Sequence, residues 1–380
     1  MENVRLGTVG CGFAARDLYG PYLHYIENGE VVAAMDVDPK KVEAYQRLTG
    51  CKSTYTELGA MLEDDGVDAV MISTPTNLHV EQVVLAAEAG KHVYCEKPMA
   101  VTIEEADRMI AACRDHGVKL QVGFMKRFNP SYRRAKEIIE DGMLGEMFEM
   151  RAVWDNARAA ASAKANYRHR LASGGGFLQE DGSHPIDICR WWMGDVLEVS
   201  GEVLLVAADR FENDDVSMVT MKHKSGALSS LHITMLTHRT GMESYEVFGT
   251  KGTLFVRFLF HSSHSIEPAI IQLHQGANTV RDFTLTTDWN VQREIATHWQ
   301  YLNELRHFCD CILNDKEPAV TGADGRAVVE IINAAYVSSW EGRKVKLPLR
   351  EGPDFKKMFT ALQRSSKWQI GEEHTWYSRY

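Results

Sequence analysis

The sequence contains no uninterrupted apolar run close to the roughly 20 residues that a membrane-spanning helix needs. It also lacks a basic excess, because 42 lysines and arginines stand against 52 acidic residues and the net charge is −10. Proteins that bind nucleic acids or anionic membranes usually carry the opposite balance. No basic segment followed by a long apolar stretch opens the chain, so no secretory signal is predicted. We therefore expect a cytoplasmic protein with neither nucleic-acid nor membrane partners.

Motifs for disulfide exchange and metal binding are also missing. The seven cysteines include no CxxC pair, which argues against a zinc ribbon or a thioredoxin-type redox site. Cys309 and Cys311 fall in a helical pattern that points their thiols to different faces. His261 and His264 could belong to a metal site, but no third ligand is evident beside them. The pattern favours reduced, buried thiols and no metal.

The overall composition is that of a globular protein. The chain has 380 residues, of which 44% are hydrophobic and 25% charged, and this excludes global disorder. At about 150 residues per domain, the length indicates two or three domains. Neither an internal repeat nor a low-complexity linker interrupts the sequence.

Short apolar runs alternate with helical patterns over the first third of the chain. Strands are predicted at Val4–Gly10, Val31–Asp36, Val67–Ser73, His92–Glu96 and Leu120–Phe124. Helices are predicted between and after them, at Ala14–Tyr25, Pro39–Leu48, Tyr55–Leu62, Leu78–Ala89 and Ile103–His116. This order predicts a doubly wound parallel sheet with helices on both faces.

Strand-like runs with short, glycine-bearing turns dominate the rest of the chain. They are predicted at Met147–Trp154, Val199–Ala207, Val216–Lys222, Ala227–Thr234, Ser244–Phe248, Thr253–Phe260, Ile266–Leu273 and Val280–Leu285. Consecutive strands joined by short turns predict a mostly antiparallel sheet. Helices are predicted at Ser131–Glu140, Gly182–Met193, Ile295–Leu313 and Asp324–Trp340. A long loop is predicted at Asn156–Ser173, and the segment after Leu347 receives no assignment.

A glycine-rich turn follows the first predicted strand. Its sequence, Gly10-Cys11-Gly12-Phe13-Ala14-Ala15, fits the pattern GxGxx(G/A). The first glycine permits a tight turn, the second lets the backbone approach a pyrophosphate, and the helix N-terminus favours negative charge. Such a turn can also occur without a nucleotide, but Asp36 follows about 20 residues later, where an acid binds a ribose 2′-hydroxyl. Together these residues predict a dinucleotide site.

The residues after Asp36 favour NAD over NADP. Neither Val37 nor Asp38 offers a cation to a 2′-phosphate, and the two acids would repel one.

Two further polar segments follow predicted strands, where ligands bind in a doubly wound sheet. Ser73, Thr74 and the residues up to His79 could contact a cofactor, and they could equally cap the next helix. Glu96-Lys97-Pro98 ends another strand. A lysine that is partly desolvated beside a cofactor could share in proton transfer, while a solvated loop lysine is the alternative.

Four segments together resemble the Gfo/Idh/MocA family of oxidoreductases. Residues 91–100 resemble its GKHVxxEKPxA signature, and residues 124–130 its RFxP segment. Residues 174–187 resemble GGGxLxDxGxHxxD, and residues 321–327 the DGxxA start of the last helix. The resemblance implies an α/β fold with an NAD-binding Rossmann domain, here residues 1–126. It also implies a second α/β domain, here residues 127–380, whose large open sheet serves substrate binding and oligomerisation.

The same resemblance implies roles for individual residues. Lys97 is the EKP lysine, and His184 is the histidine that acts as acid or base on a substrate hydroxyl. Glu180 stands where the family has an aspartate, so this longer side chain either contacts substrate or orients His184. Cofactor contacts are implied at Gly10, Gly12, Phe13, Ala14, Asp36, Ser73, Thr74, His79, Glu96 and Lys97. Arg127 is expected to reach the nicotinamide side or a substrate.

The activity that this resemblance implies is hydride transfer between NAD and a ring hydroxyl or ketone of a sugar, glycoside or inositol, in a homodimer or homotetramer. A neutral imidazole at His184 can accept the hydroxyl proton, and Lys97 can hydrogen-bond the same oxygen. The alternative is redox-neutral glycoside cleavage through transient oxidation at C3. Non-catalytic sensing is disfavoured because both residue types are retained. Four aromatic residues either stack on a sugar or fill the core: Trp154, Tyr167, Trp191 and Trp192.

Overall fold

The computed structural model describes residues 2–155, 170, 175–237, 241–262, 265–266, 269–276, 279–285 and 289–366, with only the backbone at 259–262, 265–266 and 289–299. The chain divides into two compact units. The first comprises Met1–Asn129 and Glu294–Val329, and the second comprises Pro130–Arg293 and Glu330–Tyr380. No helix within these described ranges is long and apolar enough to cross a membrane.

Six parallel strands form the sheet of the first unit: β1 (Val4–Val9), β2 (Gly29–Met35), β3 (Ser53–Tyr55), β4 (Ala69–Ile72), β5 (His92–Glu96) and β6 (Leu120–Gly123). Their order is β3-β2-β1-β4-β5-β6, which confirms the predicted parallel sheet. The order reverses between β1 and β4, and this switch point is where doubly wound sheets bind ligands. Val9 lies opposite Ile72, and Ile72 opposite Cys95, so the residues that follow these strands share one sheet edge.

The described α-helices occur in both units: α1 (Pro39–Thr49), α2 (Leu58–Leu62), α3 (His79–Glu88), α4 (Ile103–Asp115), α5 (Pro130–Glu140), α6 (Phe177–Glu180), α7 (Ser183–Met193), α8 (Trp289–Leu313), α9 (Gly322–Glu341) and α10 (Phe355–Ser365). Local chemistry sets their starts. The Asp38 side chain accepts the Lys40 N–H at 3.0 Å at the start of α1. Thr102 and Glu105 form a capping box on α4, which satisfies two otherwise unpaired N–H groups.

The chain directly after β1 differs from the prediction. The expected α-helix over Ala14–Tyr25 is instead a π-helical segment, Ala14–Tyr19, followed by a 3₁₀ segment, Gly20–Tyr25. Pro21 explains the difference, because a proline has no N–H to donate to the preceding turn. Nearby, Tyr55 belongs to β3 and not to a helix, and α2 begins only at Leu58.

Residues Glu294–Val329 belong to the first unit, although the sequence-based boundary at 126/127 assigns them to the other domain. Leu302, Leu305 and Phe308 of α8 lie in one buried cluster with Leu6 and Tyr94 of the sheet. Burial of this apolar helix face against the first sheet stabilises the segment as part of the first unit. Such a contact between residues far apart in sequence is not indicated by the order of the elements.

The second unit holds the large open sheet: β7 (Met147–Asp155), β8 (Val196–Leu204), β9 (Val216–His223), β10 (Leu228–Thr234), β11 (Gly241–Gly249), β12 (Thr253–Ser262), β13 (Ser265–Ile266), β14 (Ile270–His274), β15 (Val280–Asp282) and β16 (Val345–Lys346). The order is β15-β14-β12-β11-β7-β10-β9-β8-β16, and β13 pairs with β12. The described strand pairs are antiparallel except β7 with β10, which confirms the predicted mostly antiparallel sheet.

Aromatic side chains fill the core between this sheet and its helices. The Tyr132 ring stacks on Phe258 with centroids 4.6 Å apart. Trp192 packs edge-on against Tyr245 at 5.4 Å and is buried, so core packing accounts for this tryptophan.

Several predictions for the second half require correction or lie outside the description. The strand expected at Ile266–Leu273 is two strands, β13 and β14. The sequence did not predict α6, β16 or α10. The loop at 156–173 lies outside the described residues except for Arg170, as do Tyr167 and the side chains of His261 and His264. Among the described residues, no group of three or more His, Cys, Asp or Glu side chains could hold a metal ion.

Candidate active site

The glycine-rich turn has the shape that a dinucleotide requires. Gly10 has φ +89°, and a Cβ there would stand 2.8 Å from the Thr74 side chain, so only glycine fits without strain. A Cβ on Gly12 would meet no described atom within 4 Å. The backbone at Gly12 therefore faces open space, which a pyrophosphate can approach. Phe13, at the start of the next segment, is 43% exposed.

Asp36 closes this turn. One carboxylate oxygen accepts the Cys11 N–H at 2.9 Å, and the other accepts the Asp38 N–H at 3.0 Å. Each oxygen retains acceptor capacity, because a carboxylate oxygen has two lone pairs. The carboxylate thus holds the turn in place and can still accept a ribose hydroxyl.

A cation also lies near Asp36, contrary to the expectation from Val37 and Asp38. The Nζ atom of Lys41 is 4.0 Å from an Asp36 oxygen. Lys41 is the third residue of α1, and the first helical turn brings its side chain close to Asp36, which directly follows β2.

Ser73 and His79 connect neighbouring strand ends. The Ser73 hydroxyl donates to the Gly10 carbonyl at 2.8 Å. The buried His79 ring places Nε2 at 2.9 Å from the Thr74 carbonyl and Nδ1 at 3.1 Å from the Pro98 carbonyl. Both partners are acceptors, so both contacts are hydrogen bonds only when both ring nitrogens carry protons. His79 therefore ties the segment after β4 to the segment that carries Lys97.

Arg127 is buried and lies within the first unit. Its guanidinium pairs with the Asp324 carboxylate at 3.3 Å and donates to the Ala319 carbonyl at 3.5 Å. This pairing joins the RFxP segment to the start of α9. The expected contact of Arg127 with nicotinamide or substrate stays a prediction.

The predicted cofactor residues all belong to the first unit, whereas Glu180 and His184 belong to the second. Glu180 ends α6 and His184 stands in the first turn of α7, and both side chains are buried, with exposures of 4% and 5%. The Trp154 indole lies parallel to the His184 imidazole, with centroids 5.8 Å apart and planes 12° apart. Trp154 thus forms one wall of the His184 environment.

A buried acid that the sequence analysis missed supports α6. Asp214 accepts the Leu178 N–H at 2.9 Å and the Tyr336 hydroxyl at 2.7 Å. A Cβ on Gly176 would overlap the Asp214 carboxylate, so this glycine permits the close approach. Asn213 donates to the Gly175 carbonyl. The polar run Asn213–Asp215, directly before β9, is the sequence signal that could have indicated this anchor.

Burial is the largest influence on the pKa values of Asp214 and Asp215, the two acids in this run. It raises the pKa of Asp214 to about 6 against the hydrogen bonds from Tyr336, Leu178 and Ser217. It raises the pKa of Asp215 to about 7, although the Ala207 and Val206 N–H groups donate to it at 2.7 and 2.8 Å.

Known relatives cover nearly the whole chain. A myo-inositol 2-dehydrogenase of Thermotoga maritima is 29% identical over 90% of this chain and 98% of its own length. A D-apiose dehydrogenase of Paraburkholderia graminis is 30% identical over 91% of this chain and 90% of its own. The crystal structure of the WlbA dehydrogenase of Bordetella pertussis, in complex with NADH and UDP-GlcNAcA, is 26% identical with a TM-score of 0.76, covering 92% of this chain and 99% of its own.

Family profiles match both halves of the chain. Residues 4–124 match an oxidoreductase family with an NAD-binding Rossmann fold, and residues 132–255 match the GFO/IDH/MocA C-terminal domain. The glycine-rich turn, Asp36 and the EKP segment lie inside the first match, and Glu180 and His184 inside the second. The chain therefore belongs to the GFO/IDH/MocA family of NAD-dependent oxidoreductases.

Proposed function

We propose that this protein is an NAD-dependent dehydrogenase that transfers hydride between nicotinamide and a ring hydroxyl or ketone of an inositol, sugar or glycoside. The observation that carries the proposal is the turn at Gly10–Gly12, which is open to a pyrophosphate and is closed by Asp36. The relatives named as myo-inositol and D-apiose dehydrogenases support this substrate class. They do not favour the redox-neutral cleavage of glycosides.

Bound NAD supplies the hydride acceptor in the oxidation direction. We assign to His184 the role of accepting the proton of the reacting hydroxyl, and to Lys97 that of hydrogen-bonding the same oxygen. Hydride removal without proton removal would leave an unstable oxocarbenium, so both groups act on the same step. Glu180, four residues before His184, stabilises the imidazolium that forms or contacts the substrate.

Further assignments belong to the same proposal. Residues 1–126 bind the cofactor with Gly10, Gly12, Phe13, Ala14, Asp36, Ser73, Thr74, His79, Glu96 and Lys97 as contacts, and Arg127, directly after this range, is a further contact. Residues 127–380 bind the substrate and form the contacts of a homodimer or homotetramer, except for residues 127–129 and 294–329, which belong to the first unit. A cytoplasmic location accords with the seven cysteines, which are all free and buried.

Product analysis tests the activity. The purified protein is incubated with NAD and, in turn, myo-inositol, scyllo-inositol, D-apiose, free pyranoses and glycosides, while NADH is followed at its absorbance near 340 nm. A ring ketone formed with one NADH per product is the expected result. Release of an aglycone without net formation of NADH would mean that the protein cleaves glycosides and is not a dehydrogenase. Absence of turnover on all substrates would refute the proposed substrate class.

A further inference from the structure

The hydroxyl of Tyr19 lies at the centre of a buried oxygen cluster in the first unit. It is 2.7 Å from the Tyr94 hydroxyl and 2.8 Å from Oε1 of Glu304, and it hydrogen-bonds Oε1 of Glu96. The other Glu96 oxygen accepts the backbone N–H of Lys97 at 3.1 Å. The cluster therefore ends at the residue proposed to act on the substrate oxygen.

The number of protons in this cluster can be counted. Three oxygen–oxygen contacts meet at Tyr19, a fourth joins the Tyr94 hydroxyl to the Glu304 carboxyl group, and each requires one proton between its two oxygens. Tyr19 and Tyr94 supply one each, because a phenol has a single O–H. Two phenol protons cannot serve four contacts, so a further proton has to come from a carboxyl group and at least one of the two glutamates is neutral.

Burial decides which glutamate holds the proton. Glu304 is 0% exposed, and its Oε2 has no hydrogen-bond partner among the described residues. Glu96 is half-buried, and its Oε2 has the Lys97 N–H as a donor. Burying an ionised carboxylate with an unsatisfied oxygen costs far more free energy than burying the neutral acid. The proton therefore belongs to Glu304.

Protonation of Glu304 satisfies every contact of Tyr19. Tyr94 and Glu304 donate to the Tyr19 oxygen, and Tyr19 donates to Glu96, which uses one donor and two acceptor sites of a hydroxyl. Burial and then the charge of Glu96 raise the pKa of Glu304 well above its usual value. Among the described residues, the titratable groups that face Glu304 are Glu96, Tyr19 and Tyr94. Tyr301, one turn earlier on α8, contacts the Tyr19 ring edge-on at 5.0 Å.

The sequence makes room for this cluster at Gly123. This residue lies opposite Glu96 in the β5–β6 register. A Cβ at Gly123 would stand 2.6 Å from the Tyr94 hydroxyl, so a side chain there would displace it. Gln121, two residues earlier on β6, donates to the Glu304 backbone carbonyl at 3.0 Å and fixes that turn of α8. Two strands and a helix thus hold the oxygens in place.

We propose that Glu304 is a positioning residue that acts as a neutral acid: through Tyr19 it keeps the Glu96 carboxylate ionised and oriented, and Glu96 in turn holds the backbone of Lys97. The inference rests on the proposed function for its catalytic consequence. The proton on Glu304 does not depend on that function.

Substitutions at Glu304 test the catalytic consequence. Glu304→Ala removes the donor, and we expect kcat to fall by about 10-fold to 100-fold, since small displacements of a reacting group have effects of this size. Glu304→Gln keeps a neutral N–H donor of similar shape, and we expect it to restore kcat to within about three-fold of wild type. Glu317→Gln, an exposed glutamate in the same unit, is the control and should match wild type.

Comparison of Glu304→Gln with Glu304→Ala distinguishes the proposal from its opposite. If Glu304 were the ionised partner, Glu304→Gln would lose as much activity as Glu304→Ala, and the proposal would be wrong. Tyr19→Phe removes the hydroxyl but keeps the ring, and we expect a fall in kcat similar to that of Glu304→Ala. An unchanged kcat in Tyr19→Phe would also overturn it.

Infrared spectroscopy tests the proton without any turnover. The whole protein at neutral pH should show a C=O band of a protonated carboxylic acid that Glu304→Gln loses and Glu96→Gln retains. The reverse pattern overturns the proposal. Because this readout needs no substrate, a failed substrate panel together with the expected band would refute the proposed substrate class alone.

Discussion

The carboxylate of Asp36 accepts the backbone N–H of Cys11 at 2.9 Å, across the turn that joins β1 to the next segment. The acid that follows β2 therefore stabilises the glycine-rich turn by a side-chain hydrogen bond. In our proposal the same carboxylate binds the ribose, so one residue sets both the nucleotide preference and the shape of the turn.

Cofactor preference follows from Asp36 and Lys41 together. We expect wild-type protein to prefer NAD, because a carboxylate repels a 2′-phosphate. Asp36→Ser removes this repulsion and leaves Lys41 to meet the phosphate, so the ratio of kcat/KM for NADP over NAD should rise by about 10-fold or more, equivalent to about 1.4 kcal/mol. Asp36→Ser/Lys41→Ala should lose most of that gain. A wild-type preference for NADP would contradict this assignment.

Two glycines of the turn should respond differently to alanine. At Gly12 a methyl group meets no protein atom but occupies the space of the pyrophosphate, so KM for NAD should rise about 10-fold or more with an unchanged melting temperature. At Gly10 a methyl group meets Thr74 and an unfavourable φ, so Gly10→Ala should lower the melting temperature. Thermal denaturation and steady-state kinetics of both variants check this. Equal effects on stability would show that Gly12 is structural.

Loss of either proton-transfer group should slow turnover greatly. We expect Lys97→Ala and His184→Ala to lower kcat by about 10²-fold to 10⁴-fold while the affinity for NAD stays similar. Stopped-flow hydride transfer and NAD titration separate the two quantities. Lys52→Ala and His274→Ala, both at exposed positions, serve as controls. Turnover close to wild type in either active-site variant would remove that residue from the mechanism.

Glu180 should support His184 through its charge. If it stabilises the imidazolium, Glu180→Gln should move the acidic limb of the kcat pH profile to lower pH, because loss of a negative charge makes the neutral base easier to form. Glu180→Asp should keep the profile and lose some rate. A profile and rate unchanged in the Gln variant would make Glu180 a bystander.

Local patterns predicted most of the sheet and its ligand edge. The bounds of β5 agree with the prediction at both ends, since a short apolar run beside glycine-ended helices has few alternatives. The motif segments made the turn, Lys97 and His184 candidates for the site, because each motif is contiguous in sequence. Pro21 was also visible, but its effect on the helix after β1 was overlooked.

Features that depend on distant residues escaped prediction. Glu304 contacts Tyr19 across 285 residues, and nothing near Glu304 in sequence marks it as buried and neutral. Lys41 was visible, but its approach to Asp36 depends on where α1 begins. Asp214 reaches Tyr336 across 122 residues, so its support of α6 emerges only from tertiary packing.

The pH dependence of stability should report Asp215. Burial raises its pKa in the folded protein to about 7, whereas an unfolded aspartate has a pKa of about 3.9. Between these values the folded state binds more protons than the unfolded state, so the contribution of Asp215 to stability is complete below about pH 4 and is lost as the pH rises through about 7. Other carboxylates, among them Asp68 and Asp195, have lowered pKa values in the folded protein, and they change stability with pH in the opposite direction.

Comparison with a variant isolates the effect of Asp215. The free energy of unfolding of wild type minus that of Asp215→Asn, from urea titrations at several pH values, should fall by roughly 1–3 kcal/mol between pH 5 and pH 8. A difference that stays constant across this range would mean that Asp215 is already ionised at pH 5 in the folded protein.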